Sequence, residues 1–341
     1  MKYKLLGNSG LKVSEFCLGT MGFGTHNDWG IAEEPSFEIM EAFGNAGGNF
    51  LDTANRYQDG MTEEIVGNFI NKGDRDYWIV ATKYSLKDNT TNPNASGNNR
   101  KNMMRSVENS LRRLKTGFID VLYLHIWDWL TPMEEVMRGL DDLVKQGKIN
   151  YIAMSDTPAW LVSKAQEIAR WRGYLPIVAL QVEYSLIQRT PERDLIPMAK
   201  HYGMTVTPWA PLGGGALTGK YLRNDPGRIK PDSKRLNDRA VSITKKVVEI
   251  AGELGVPASQ VALAWTRQQG FDSIPIIGAT KLSQFKENLK YPDLVIPDHH
   301  LNALNEISSI DLGFPGEFYK EAGVRENNFG GFYDQIEHPE I

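Results

Sequence analysis

Apolar residues in this chain gather into short runs, and polar loops or helical patterns separate them. The runs close near residues 19, 51, 82, 124, 154, 182, 207 and 276. Examples are Phe16-Cys17-Leu18-Gly19, Trp78-Ile79-Val80-Ala81 and Ile177-Val178-Ala179-Leu180. Short apolar runs bounded by polar residues read as strands buried on both faces, the pattern of a parallel sheet. Six of the seven intervals between closures suit one strand–helix unit each, which takes roughly 30 residues or more. The interval before residue 124 carries a polar insertion, Asp88 to Gly97, and the one before residue 276 carries Gly213 to Leu236 and then an extra helical pattern. Eight units of one kind predict an α/β chain folded as a single (β/α)8 barrel over residues 1–341. A small hairpin over residues 3–15, turning at Asn8-Ser9-Gly10, would precede it. A doubly wound sheet is the alternative, but no Gly-x-Gly-x-x-Gly turn follows the first strand.

Helix starts are marked by proline. Thr131-Pro132-Met133-Glu134 reads as a capping box with proline at the first helical position. Met133, Val136, Met137, Leu140, Leu143 and Val144 then share one face, and Gly147 ends the helix. Thr157-Pro158 and Thr190-Pro191 open two further helices in the same way.

Composition narrows the function. Hydrophobic residues make up 41% and charged residues 23%, enough apolar material for an ordinary core. A net charge of −4 argues against nucleic acid or another polyanion as the main partner. The one cysteine, Cys17, leaves no internal disulfide and no cysteine-only metal site. It lies in an apolar run, where a core thiol is expected. No run of 18 apolar residues suggests a membrane span. Met1 to Gly7 lacks the apolar stretch of a secretory signal, so a cytoplasmic location is expected.

Three phrases carry the candidate chemistry: Asn49 to Tyr57, Trp78 to Lys83, and Asp120 to His125. Each ends an apolar run with an ionisable residue. In a parallel barrel the strand C-termini converge on one face, which would bring Asp52, Tyr57, Lys83 and His125 into one pocket. A tyrosine with its ordinary pKa of about 10 is a weak acid at neutral pH. A neighbouring Lys83 ammonium would lower that pKa, Asp52 would hold the ammonium charged, and His125 would donate to a substrate oxygen. Taken singly, each residue also has a plain structural role: Asp52 as a loop acid or cap, Tyr57 as a surface aromatic, Lys83 reaching out from a strand end, His125 as a satisfied core histidine.

The phrases Asp52-Thr53-Ala54-Asn55-Arg56-Tyr57 and Leu122-Tyr123-Leu124-His125 resemble the aldo-keto reductase superfamily over nearly the whole chain. The run Tyr123 to Asp128 resembles its aryl-alcohol-dehydrogenase-like branch. The resemblance implies NADP(H)-dependent reduction of aldehydes or ketones, aromatic or bulky ones in particular. Asp52, Tyr57, Lys83 and His125 would form its catalytic tetrad, with Tyr57 as the acid and no metal. It also implies a cofactor site. Gly19, Thr20 and Met21 lie at the glycine-rich exit of the first strand, and Ser155, Asp156 and Gln181 would hold the carboxamide. Trp209 would lie against the nicotinamide where tyrosine is the more familiar residue. Ala210, Pro211, Leu212, Gly214, Leu217 and Lys220 would wrap the pyrophosphate. Gly278, Thr280, Lys281, Gln284, Glu287 and Asn288 would face the adenosine 2′-phosphate and its surroundings. Thr280 stands where a strong cation is often found, which weakens the case for a steep NADP preference, with Lys281 adjacent. Asp156 also suits a helix cap, and the glycine run also suits a flexible loop.

The tail, residues 311–341, mixes aromatic residues with glycine and shows no periodicity. Family members use such a tail to wall the substrate pocket. Packing on the barrel exterior, or on a second subunit, is the other reading. Two rival functions remain open at this level: a Schiff-base aldolase using Lys83, and a nucleotide-sensing protein related to potassium-channel β subunits.

Overall fold

Strict alternation along short strands builds the molecule. The computed structural model describes residues 1–87 and 91–337. A hairpin, β1 Tyr3–Leu5 and β2 Lys12–Ser14, precedes eight parallel strands: β3 Cys17–Gly19, β4 Phe50–Asp52, β5 Ile79–Tyr84, β6 Ile119–Leu124, β7 Ile149–Ser155, β8 Ile177–Glu183, β9 Thr205–Trp209 and β10 Ile276–Gly278. They pair in the order β10-β3-β4-β5-β6-β7-β8-β9. The ring closes through a parallel bridge from Val206 to Ser273, with Val206 N–H donating to the Asp272 carbonyl and Ile274 N–H to the Val206 carbonyl, both at 2.9 Å. Each strand ends within two residues of the closure of an apolar run.

The helices are α1 Glu33–Asn45, α2 Met61–Ile70, α3 Arg100–Leu114, α4 Met133–Lys145, α5 Ala159–Arg172, α6 Leu195–His201, α7 Asp238–Leu254, α8 Ala258–Arg267, α9 Leu282–Asn288, α10 Asp298–Ile307 and α11 Ala322–Phe329. The long interval before β10 holds both α7 and α8, so α7 is the extra helix expected there.

Two apolar layers follow from the period of two. Leu18, Leu51, Val80, Leu122, Leu124, Ile152, Met154, Leu180 and Val206 face the helices. Cys17, Phe50, Ala81, Val121, Tyr123, Ala153 and Ala179 form the second layer, inside the barrel, where they meet Leu6 and Val13 of the hairpin. The hairpin thus plugs the end of the barrel opposite the strand C-termini. Gly7 is required there. Its φ is +54°, and a Cβ would sit 2.1 Å from the Val178 carbonyl oxygen.

The capping box does not form. Helix α4 starts one residue later, with Pro132 at its cap and no side-chain cap. Asp128 captures Thr131 instead: its Oδ2 accepts from the Thr131 hydroxyl at 2.7 Å, and its Oδ1 accepts from the Thr131 and Leu130 amides at 2.9 Å. Glu134, left without its box, pairs with Lys164 on α5 at 2.8 Å. The expected apolar face and the stop at Gly147, φ +68°, are both present. Thr190–Arg193 is a 3-10 turn, and α6 follows it.

The root of the tail is tied to the barrel, with Arg239 donating to the Ser308 carbonyl at 2.6 Å and Arg193 to that of Asp311 at 2.7 Å. Beyond it, α11 forms where no periodicity was expected, and none of its residues is buried. Phe314, Phe318, Tyr319 and Phe332 stand in solvent. Residues 88–90 of the predicted insertion and 338–341 of the tail lie outside the described residues.

Candidate active site

The alternation that fills the barrel also selects which residues reach its open end. Counting in twos from the interior layer gives Gly19, Asp52, Lys83, Ser155, Gln181, Trp209 and Gly278 at the strand C-termini, with His125 one residue past β6. Register pairs Gly278 with Gly19, Gly19 with Asp52, and Ser155 with Gln181. A slip of one residue in any strand would turn its member into the helix layer.

Lys83, wholly buried, is the hub. Its Nζ donates to Asp52 Oδ2 at 2.8 Å, to the Thr53 carbonyl at 2.9 Å and to the Tyr57 hydroxyl at 3.0 Å. An ammonium has three hydrogens, and all three are engaged. Gln181 Nε2 donates to the other Asp52 oxygen at 2.9 Å. The Thr20 hydroxyl donates to the Asp52 carbonyl at 2.7 Å, so this side chain steadies β4. His125 lies edge-on to Tyr57, with ring centroids 5.9 Å apart. The four residues singled out from the sequence therefore meet in one cluster.

Tyr57 is not on a strand. It opens a short 3-10 turn whose next residues, Gln58, Asp59 and Gly60, all have positive φ. Left-handed backbone at two non-glycine residues is costly unless the surroundings hold it. Gln58 does so: it accepts from the Asn27 amide at 2.7 Å and donates to the Met21 carbonyl at 3.3 Å. The turn bearing Tyr57 is thereby fastened to the loop after β3.

The phenol titrates in the opposite direction to the sequence expectation. Burial raises the Tyr57 pKa above its ordinary value, and Lys83 only partly offsets this. Tyr57 therefore keeps its proton at neutral pH, the state a proton donor needs. For Lys83, burial alone would favour the free amine, but the Asp52 carboxylate and Tyr57 outweigh it and hold the group charged. An ammonium so held is a poor nucleophile, which counts against the Schiff-base alternative. Burial, and then the Lys83 charge, push His125 down to about 3, so its ring is neutral. Its Nδ1 is enclosed with no hydrogen-bond partner among the described residues.

Residues that the sequence did not single out hold His125 in place. Its backbone N–H donates to the Tyr84 carbonyl at 3.0 Å and to the Ser85 hydroxyl at 3.2 Å. Ser85, at φ +113°, also accepts from Asn98 Nδ2 at 2.9 Å. Asn98 and Asp128 exchange bonds, each side chain accepting from the other's amide at 2.7 Å. This clasp zips the loop after β5 to the loop after β6, which carries His125. The backbone amides around Asp128 outweigh its partial burial and hold its carboxyl below the ordinary range. The signals were faint: Asn98-Asn99 before a helix reads as a cap, and Asn99 does cap α3.

The cofactor candidates surround the cluster. Trp209 Nε1 donates to Asp156 Oδ1 at 3.2 Å, and burial raises the Asp156 carboxyl. Arg235 lies over the Trp209 ring at 5.8 Å, held by Glu183 at 2.5 Å. Glu183 and Arg235 were also missed from sequence. After Ala210 (φ +50°), Pro211 and Leu212, residues Gly213, Gly214 and Gly215 all have positive φ, and Leu217 is buried behind them. A side chain at 214 would press on Arg235 and Ile229, and one at 215 on Lys220. The space beside this backbone is thus bordered by two cations. Across the mouth, the Thr280 methyl borders Gly22 of the loop carrying Met21. Thr280, Lys281, Gln284 and Glu287 are exposed, whereas Asn288 is buried. Glu287 accepts a long bond of 3.4 Å from Ser259.

Comparison with known proteins agrees with this geometry. Residues 15–309 match the model of the Aldo/keto reductase family. The chain is 37% identical to an aryl-alcohol dehydrogenase (NADP(+)) of Phanerodontia chrysosporium, over 92% of this chain and 87% of that protein. It is 35% identical to an aryl-alcohol dehydrogenase of Pestalotiopsis microspora, over 95% and 86%. It is 36% identical to norsolorinic acid reductase A of Aspergillus parasiticus, over 92% and 82%.

Proposed function

We propose that this chain, which belongs to the aldo/keto reductase family and is an NADP-dependent oxidoreductase of it, reversibly reduces aromatic or other bulky aldehydes and ketones with Tyr57 as the general acid. The observation that carries this reading is the Lys83 hub. It binds a phenol that retains its proton and is itself held charged by Asp52. The exposed apolar side chains Ile126, Trp129 and Leu130, just after His125, support a bulky substrate. So do relatives named for aryl alcohols and for norsolorinic acid.

The residues fit a nicotinamide dinucleotide. Ser155 and Gln181 offer hydroxyl and amide groups at adjacent strand ends, suited to a carboxamide. The Gly213–Gly215 turn, flanked by Lys220 and Arg235, suits a pyrophosphate. Thr280 and Lys281, with Gln284, Glu287 and Asn288 behind them, suit the adenosine end. Bound there, the nucleotide supplies the hydride. Tyr57 gives its hydroxyl proton to the carbonyl oxygen as negative charge builds on it. Lys83 stabilises the phenolate that remains. Neutral His125, its Nδ1 enclosed, offers Nε2–H to the same oxygen and sets the carbonyl's orientation. Asp52 keeps Lys83 charged and aimed.

The test is consumption of NADPH, followed by its absorbance, across a panel of aromatic and aliphatic aldehydes, ketones and diketones. Turnover highest on aromatic members is expected. Tight NADPH binding with no turnover on any carbonyl would defeat the reading and favour a nucleotide sensor.

A further inference from the structure

Helix α5 turns two tryptophans to solvent. Trp160 is 63% exposed and Trp171 is 83% exposed, while Leu161, Val162, Ala165 and Ala169 are buried on the opposite face. Tryptophan is enriched at protein interfaces relative to the rest of the surface. Between them on the same face lie Lys164 and Glu167. The four positions are spaced 4, 3 and 4 residues apart, which keeps them in one stripe along a helix.

The stripe is a palindrome in chemistry. The pair Trp160 and Trp171 and the pair Lys164 and Glu167 share one midpoint, between Ala165 and Gln166. A two-fold axis through that midpoint lays Trp160 over Trp171 of a second copy, and Lys164 against Glu167 of the second copy. Every contact is then made twice, which is the requirement of an isologous interface. A different partner would give no reason for this symmetry.

We propose that α5 pairs antiparallel with α5 of a second copy of this chain, forming a two-fold dimer. The existing Lys164–Glu134 contact is an exposed one, and its replacement is cheap. Among the described residues Glu167 is bound only by a 3.4 Å contact from the Tyr202 hydroxyl. Four indoles burying about 150–250 Å² each would contribute roughly 600–1,000 Å². With flanking surface such as Leu175, 38% exposed, the interface reaches the low end of specific interfaces, about 1,200 Å². The dimer is therefore expected to be concentration-dependent. The site lies outside the catalytic cluster, so the proposal stands independently of the substrate reading.

Sedimentation velocity on the full chain over a concentration series tests it. The wild type should move from the monomer mass of 38.3 kDa towards twice that value as concentration rises. Lys164→Glu and Glu167→Lys each put like charges across the axis and should weaken dimerisation roughly tenfold or more. The double reversal, Lys164→Glu with Glu167→Lys, restores opposite charges on both sides and should dimerise more tightly than either single variant. Trp171→Glu should leave a monomer whose circular dichroism and carbonyl reduction match the wild type. A wild type that stays monomeric at its highest soluble concentration overturns the proposal. So does a dimer indifferent to the single reversals, or a double variant no tighter than they are.

Discussion

Replacing Lys83 by methionine separates two roles of the same ammonium. In the folded chain Lys83 is wholly buried and the Asp52 side chain is only 5% exposed. Among the described residues, the variant leaves the Asp52 carboxylate with Gln181 as its one side-chain donor. Removing one member of a buried ion pair costs about 3–5 kcal/mol, because the survivor stays charged and unpaired. Removing both, as in Asp52→Asn with Lys83→Met, leaves neither charge of this pair unpaired and should recover most of that loss. Catalysis should not follow. Before proton transfer the Lys83–Tyr57 bond meets a neutral phenol, and afterwards a phenolate. Lys83 is charged throughout, so the bond already joins an ion to a neutral phenol, and the phenolate adds an ion-pair attraction to it. The gain of roughly 1–2 kcal/mol exists only once charge has moved, so its loss falls on kcat, by about tenfold. Urea unfolding followed by tryptophan fluorescence reads the stability, and steady-state carbonyl reduction reads the rate. If the single variant unfolds like the wild type, the buried pair is not what the geometry says. If the double variant regains rate along with stability, Lys83 is a strut and has no part in the proton transfer.

Tyr57→Phe should lower kcat for carbonyl reduction by about 10²–10⁴-fold and leave NADPH affinity, read by fluorescence titration, near that of the wild type. Because burial holds the Tyr57 pKa above its ordinary value, reduction should be flat with pH across the neutral range, while the reverse oxidation, which needs the phenolate, should rise as pH rises. His125 has its folded pKa depressed to about 3, below an unfolded value of about 6.5. Its contribution to stability is present above about 6.5 and is lost as pH falls towards 3, by up to about 2 kcal/mol at pH 5; urea midpoints of the wild type and His125→Gln compared at pH 7 and pH 5 should differ by that slope. Asn98→Ala opens the clasp and should cost about 1–3 kcal/mol in urea unfolding, with a fall in kcat as the loop bearing His125 loosens; unchanged unfolding would mean that the clasp is not formed in solution. Lys281→Ala should weaken NADPH binding and spare NADH, so an equal loss for both would place the 2′-phosphate elsewhere.

The sequence exposed the parts of the site that depend on local pattern. Apolar runs and their period of two were enough to place Asp52, Lys83, Ser155, Gln181 and Trp209 at inward-facing strand ends, because register leaves no other choice. Tyr57 escaped that logic, since it stands on a turn held by Gln58, and only the phrase from Asp52 to Tyr57 pointed to it. What was hidden depends on partners far apart in the chain. Asp128 was free to be read as an ordinary loop acid, and Thr131 as a cap; the structure gives both to one another and joins Asp128 to Asn98, 30 residues away. The titration of Tyr57 was misjudged for the same reason. Its cation was visible as a neighbouring strand end, but the depth of burial that outweighs that cation belongs to the closed barrel. In the proposed mechanism this becomes a division of labour: burial keeps the proton on Tyr57 until charge develops on the substrate, and Lys83 then lowers the energy of losing it.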